Sequence, residues 1–146
     1  MTGANKPIRT HCIQKTLSLN DAGETGGHQA GILIPKKKEI LSFFPELDKR
    51  KKNPRILITF SDSFGAQWSF SFIYYNNSFF GGTRNEYRLT GMTRFMKAYN
   101  LKSKDKLILK RDENGFYTIK YSRTKGIRTV SGGALKLGNS WKFVRI

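Results

Sequence analysis

Arg84-x-Glu86-x-Arg88 is the pattern in this chain best suited to reading another molecule. A guanidinium can grip guanine O6 and N7 with two hydrogen bonds, and a carboxylate can accept from cytosine N4. In an extended segment, side chains two residues apart share a face, so all three would point together. The same ladder would also serve as a surface salt-bridge strip, worth little to stability, and the spacing leaves both readings open. Lys49-Arg50-Lys51-Lys52 is a plain basic run. Facing phosphate, it would set affinity and position without reading sequence; its alternative is a solvated loop.

Other chemistries find little support. Metal-dependent nucleases often place a carboxylate two residues before a lysine, one holding the metal and the other steadying the nucleophile. The ten acids are Asp21, Glu24, Glu39, Glu46, Asp48, Asp62, Glu86, Asp105, Asp112 and Glu113, and none has a lysine at its i+2 position. His11-Cys12 with a distant His28 lacks the paired spacing of a zinc site. Gly23-x-x-Gly26-Gly27 lacks the Gly-Lys-Ser/Thr ending of a phosphate loop.

Composition sets the frame for these residues. The chain has 146 residues, enough for one domain, and 38% hydrophobic content supplies one core. Lys and Arg number 27 against 10 Asp and Glu, a net charge of +17, with a sequence pI near 10.3. So basic a domain repels itself when folded, and a polyanionic partner is the default explanation. Aromatics at 13%, in alternating runs, argue against disorder. A lone cysteine, Cys12, excludes a disulfide scaffold. No apolar stretch approaches the roughly 18 residues of a membrane helix, and the N-terminus has no signal-peptide core. A small cytoplasmic domain is expected.

The elements that must position these residues are mostly short strands. Met1 to Cys12 carries no period and reads as a loose lead-in, with one domain over 13–146. Alternation predicts strands at Ile13–Leu19, Ile32–Ile34, Arg55–Phe60 and Gln67–Tyr75, the last with Trp68, Phe70 and Phe72 on one face. Further strands are expected at Lys106–Lys110, Phe116–Tyr121 and Trp141–Val144, with Asn114-Gly115 marking a hairpin. Short helices are expected over Lys36–Phe44, between Pro35 and Pro45, and from Thr90 as N-cap to Tyr99, with Phe95 and Met96 inward. Two glycine-containing loops, Asn20–Gly31 and Asn76–Gly82, are too irregular for tight turns. The sum is a mainly β, seven-stranded closed or nearly closed barrel with two short helices.

Two stretches are together familiar. Thr25-Gly26-Gly27-His28-Gln29-Ala30-Gly31-Ile32-Leu33-Ile34-Pro35-Lys36 and Arg84-Asn85-Glu86-Tyr87-Arg88-Leu89-Thr90 resemble the N-terminal effector domain of EcoRII-type restriction endonucleases. Leu89-Thr90-Gly91-Met92-Thr93-Arg94-Phe95-Met96 and Leu101-Lys102-Ser103-Lys104-Asp105 are similar to the plant B-three DNA-binding domain, though an aromatic often stands there at Met92 and glycine at Lys104. The resemblance implies a DNA-binding pseudobarrel whose two loops enter the major groove of a double-stranded target, typically a short pseudopalindrome of the CC-W-GG kind. It makes Asn20–Ala30 the N-arm, with His28 and Gln29 as candidate readers and Lys36 near phosphate. It makes Phe79–Arg88 the C-arm, with Arg84, Glu86 and Arg88 as readers and Tyr87 turned the other way, toward packing or a phosphate. Binding would need no cofactor. Cleavage and its magnesium would belong to a separate C-terminal nuclease domain, expected to be fused in a full-length, DNA-associated bacterial protein.

Competing expectations are a stand-alone regulator of the same fold, a single-strand binder that stacks bases on exposed aromatics, and an enzyme with an unrecognised site. The inward-facing run Trp68–Phe72 speaks against the second of these, and the lack of a paired acid–base constellation against the third.

Overall fold

A computed structural model describes residues 9–23, 31–124 and 140–145. His11–Thr16 (β1), Ile32–Ile34 (β2), Arg55–Asp62 (β3), Gln67–Tyr75 (β4), Glu86–Thr90 (β5), Lys106–Arg111 (β6), Tyr117–Ser122 (β7) and Trp141–Val144 (β8) form one sheet. Its order is β2-β5-β4-β3-β7-β6-β1-β8. All pairings are antiparallel except β3 with β7, which is parallel. The sheet curls until its two edges meet, where Trp141 Nε1 on β8 donates to the Leu33 carbonyl on β2 at 2.9 Å. Two short helices, Lys38–Leu41 (α1) and Thr93–Ala98 (α2), complete it.

Each strand turns alternate residues inward, the period expected of a half-buried strand. Phe60, Phe70, Phe72, Leu89, Leu107 and Ile119 are among the residues fully buried inside. Aromatic contacts knit this interior: Phe44 stacks on Phe72 at 4.5 Å, and Phe60 meets Phe70 at 5.4 Å. Phe95 and Met96 of α2 face inward as their spacing predicts.

The β3–β4 and β6–β7 hairpins use the same Asp-x-x-Gly device. Asp62 Oδ1 accepts from the Phe64 and Ala66 amides, and Asp112 Oδ1 from the Asn114 and Phe116 amides. Gly65 and Gly115 take the left-handed conformation at φ 89° and 84°. Asn114 does not share it, so Asn114-Gly115 is part of a five-residue connection, closed by the Asp112 amide on the Phe116 carbonyl, rather than a two-residue turn. Asp62 also accepts from Trp68 Nε1 at 2.9 Å and from the Tyr99 hydroxyl, tying the hairpin to the end of α2. Burial opposes its ionisation, but these donors prevail and hold its carboxyl at about 2.

Four features depart from the sequence reading, the first being that α1 is a single turn, Lys38–Leu41, rather than a helix over Lys36–Phe44. There are eight strands, because Glu86–Thr90, read as the end of an arm, is a strand inserted between β2 and β4. Thr90 therefore ends β5 and does not cap a helix; α2 begins at Thr93, with Met92 at its N-cap and no side-chain cap bond. Strand β1 begins at His11 inside the expected lead-in, because His11 and Cys12 pair with Arg111 and Lys110.

Candidate nucleic-acid interface

Strand β5 alternates Tyr87 and Leu89 inward with Glu86, Arg88 and Thr90 outward. It pairs antiparallel with β2, Ile34 opposite Tyr87 and Ile32 opposite Leu89. The loop after β4 therefore meets β5 at one end of this pair, and the loop before β2 arrives at the other. The five-residue strand holds the ends of these loops about 16 Å apart. The outward face of β5 thus forms the floor between two loops.

Glu86 is the hub of that floor. Its Oε2 accepts from Arg84 Nη2 and from Arg88 Nε, each at 2.7 Å. Hydrogen bonds from Arg84 and then Arg88 lower its pKa, so it is a carboxylate at neutral pH. Arg84 lies over the Tyr75 ring at 3.7 Å, a stacking that holds the guanidinium flat. Arg88 Nη1 donates to the Gly31 carbonyl at 3.0 Å. The chain Tyr75–Arg84–Glu86–Arg88–Gly31 thus links the β4–β5 connection to the residue before β2. Gly31 has φ 92°, and a Cβ there would meet Thr90 Cγ2 at 2.6 Å and the Leu89 carbonyl at 2.7 Å, so only glycine lets the strands approach so closely.

The C-arm is internally bonded. After Asn76, residues Asn77–Phe80 form one 3₁₀ turn, and Gly81 leaves it at φ 93°. Asn77 Oδ1 accepts from the Arg84 amide at 2.7 Å, and the Gly82 amide donates to the Asn77 carbonyl at 2.7 Å. Phe79 and Phe80 are left exposed, at 68% and 44%.

The basic run sits beside this arm for a reason the sequence conceals. Asn76 is 1% exposed. Its Oδ1 accepts from the Asn53 amide at 2.6 Å, its Nδ2 donates to the Lys51 carbonyl at 2.9 Å, and its amide donates to Asn53 Oδ1 at 3.1 Å. This buried clamp pins the Lys49–Lys52 loop to the exit of β4. Within the loop Lys49, Arg50, Lys51 and Lys52 are exposed, and Arg50 grips Asp48 through Nε and Nη2 at 2.9 and 3.1 Å. Lys36 is exposed and donates to Asn85 Oδ1 at 2.7 Å, an oxygen that also accepts from the Tyr74 hydroxyl.

Arg84, Glu86 and Arg88 are thus brought to one surface, while Lys36 is held at Asn85, just before β5, and the basic run at the exit of β4. Tyr87, offered by the sequence to either packing or a phosphate, takes the packing role. It is 6% exposed and stacks on Tyr74 at 4.1 Å and on Phe72 at 5.6 Å, so it is corrected from a backbone contact to a core residue. His28 and Gln29 lie outside the described residues. Sequence reasoning missed Tyr75, Asn76 and Asn85. An asparagine after a strand signals only a turn, and nothing local marks one that clamps a distant loop. Among the described residues, no three His, Cys, Asp or Glu side chains come together to hold a metal.

Residues 4–108 match the family model described as restriction endonuclease EcoRII, N-terminal. The chain is similar to the type II restriction enzyme EcoRII of Escherichia coli, 42% identical over 79 residues, covering 52% of this chain and 19% of that enzyme. It is also similar to auxin response factor 10 of Oryza sativa subsp. indica, 28% identical over 129 residues, covering 88% of this chain and 17% of the factor. The chain thus spans a fifth or less of the curated relatives it matches. Its fold is similar to that in the Arabidopsis FUS3–DNA complex, with a TM-score of 0.57 at 23% identity, covering 77% of this chain and 96% of that one. With a curled β sheet, two short helices and that family match, the chain belongs to the EcoRII N-terminal family and has a B-three-like pseudobarrel fold.

Proposed function

We propose that this domain binds double-stranded DNA sequence-specifically, as the effector or targeting module of a type II restriction endonuclease. On this reading it grips a short C/G-rich pseudopalindrome of the CC-W-GG kind. The two arms enter the major groove, and Arg84, Glu86 and Arg88 meet base edges. His28 and Gln29 of the N-arm are proposed as further readers, and Lys36 and Lys49–Lys52 as phosphate contacts. Binding needs no metal. Cleavage belongs to a nuclease domain elsewhere in a longer, DNA-associated cytoplasmic bacterial protein.

The observation that carries this reading is the Arg–Glu–Arg ladder on the floor between two loops of a +17 chain. Purely electrostatic binding would have no use for a carboxylate at the centre of the surface. Guanine–cytosine readout uses both signs of charge. A stand-alone regulator of the same fold is the second reading, favoured by the similarity to a plant auxin response factor over 88% of the chain.

The test is competition of a labelled CC-W-GG duplex by unlabelled cognate duplex, scrambled duplex and single strand. The proposal expects cognate duplex to compete best, without magnesium, and plasmid to stay intact when magnesium is added. Equal competition by scrambled duplex would overturn it. If roughly 6 to 8 phosphates are neutralised, log affinity should fall against log salt with a slope of about −5 to −7. Replacing Lys49, Arg50, Lys51 and Lys52 with glutamine should flatten that slope by up to about 3.6, leaving preference among sequences unchanged. An unchanged slope would return the run to solvent.

A further inference from the structure

The ring of strands has a second charged face. Because Trp141 joins the edge strands β8 and β2, β6 lies four strands from β5 in either direction round the sheet. The outward side of β6 therefore points away from the Arg84–Glu86–Arg88 floor. On that side Lys106 and Lys110 of β6, Lys120 of β7 and Lys142 of β8 are all exposed. They alternate with the buried Leu107, Leu109, Ile119 and Trp141, which fixes their outward direction.

Register places the four with regularity. Lys120 lies opposite Ile108, Ile108 opposite Gln14, and Gln14 opposite Lys142, one row across four adjacent strands. Three strand spacings separate the row's ends by about 14 Å. Lys106 and Lys110 flank Ile108 along β6, four residues and about 13 Å apart. The result is a diamond of lysines round Ile108 and Gln14. Strands β1, β6, β7 and β8 contain no Asp or Glu.

Such a face costs self-repulsion that folding does not require. It offers little apolar area, and lysine is depleted at protein–protein interfaces. Phosphates suit it better: the diamond's diagonals are close to the ~12 Å width of a major groove, so flexible lysines could meet both bordering strands. We infer that this opposite face is a second, sequence-blind binding surface for the phosphate backbone of duplex DNA. One domain then holds two separate duplex segments, one on the arms and one behind them.

The test is a capture experiment with the whole chain. Protein is bound to an immobilised cognate duplex, washed, and offered a labelled duplex of random sequence. Capture is expected, weakening with salt at a log–log slope of about −3 to −4 for four phosphates. The variant Lys106→Gln/Lys110→Gln/Lys120→Gln/Lys142→Gln should capture at least tenfold less while holding the immobilised duplex within twofold of the wild type. The four corresponding Lys→Arg substitutions should retain capture, which separates lost charge from lost folding. A variant stripped of the arm-side contacts, Arg84→Ala/Arg88→Ala with Lys36, Lys49, Arg50, Lys51 and Lys52 changed to glutamine, should still bind random duplex in solution and lose it when the four rear lysines also become glutamine. That comparison holds whether or not the proposed base readout is right. No capture by the wild type, or equal capture by the glutamine variant, would overturn the inference. So would retention of polyglutamate but not duplex, which would reassign the face to an acidic protein.

Discussion

Arg88→Ala should weaken cognate binding by about 1 to 3 kcal/mol, roughly 5- to 150-fold, and more than Arg84→Ala does. Both arginines donate to Glu86 Oε2 at 2.7 Å, but only Arg88 also holds the Gly31 carbonyl, at 3.0 Å, where the N-arm rejoins the sheet. Losing Arg88 therefore removes a proposed base contact and the bond that holds Gly31 at the start of β2. Losing Arg84 removes a base contact and its stacking on Tyr75. Arg88→Lys sharpens the comparison. Lysine keeps the charge but not the planar fork, so it cannot make the same set of bonds. Fluorescence anisotropy on cognate and scrambled duplexes should show Arg88→Lys nearly as defective as Arg88→Ala on the cognate alone. Full rescue by lysine would mean that only charge matters there.

Asp21→Ala should be the costliest single polar substitution, lowering folding stability by about 3 to 5 kcal/mol. Asp21 Oδ2 lies 3.1 Å from Lys15 Nζ, with side-chain exposures of only 10% and 8%. Lys15 also donates to the Thr16 carbonyl and to Ser140 Oγ, which draws the start of β8 against β1. Removing the carboxylate would leave a largely buried ammonium without its counter-charge. Asp21 is also part of the turn that starts the N-arm, its amide bonded to Ser18 Oγ and its carboxylate to the Ser18 amide. The double variant Lys15→Met/Asp21→Leu removes both charges and should recover most of the loss, because the pair's attraction offsets a desolvation penalty of similar size. Urea denaturation midpoints would decide the matter. A single variant as stable as wild type would show that Lys15 is solvated after all.

Much of this architecture was legible where one face of a strand is apolar. Gln67–Tyr75, Ile32–Ile34 and Trp141–Val144 were bounded to the residue, because their alternation is local and is bounded by turn residues. Strand β5 hid behind its charges: the resemblance put Glu86 and Arg88 at the end of an arm, and only pairing on both sides, with β2 and β4, makes the segment a strand. His11 and Cys12 join β1 through partners about a hundred residues away, beyond the reach of any window. At the proposed interface, residue types and spacing showed that Arg84, Glu86 and Arg88 could share a face. They did not show that the three bond to each other, or that Gly31 completes the chain. The Asn76 clamp left no trace, since its value lies entirely in burial.

The most direct measurement is the affinity of Glu86→Ala for one cognate and one scrambled duplex, at the same salt. A carboxylate repels phosphate, so an electrostatic binder should gain affinity for every duplex when Glu86 is removed. If Glu86 accepts from cytosine N4, the same change leaves that amino group unpaired. Cognate binding should then weaken by about 1 to 3 kcal/mol while scrambled binding holds or improves. The freed arginines strengthen the contrast, because Arg84 and Arg88 would no longer be tied to a carboxylate when they meet phosphate. The proposed readout therefore predicts a collapse of the cognate-to-scrambled ratio driven by loss on the cognate side. Tighter binding to both duplexes with the ratio unchanged would contradict it and leave Arg84–Glu86–Arg88 a surface ion ladder.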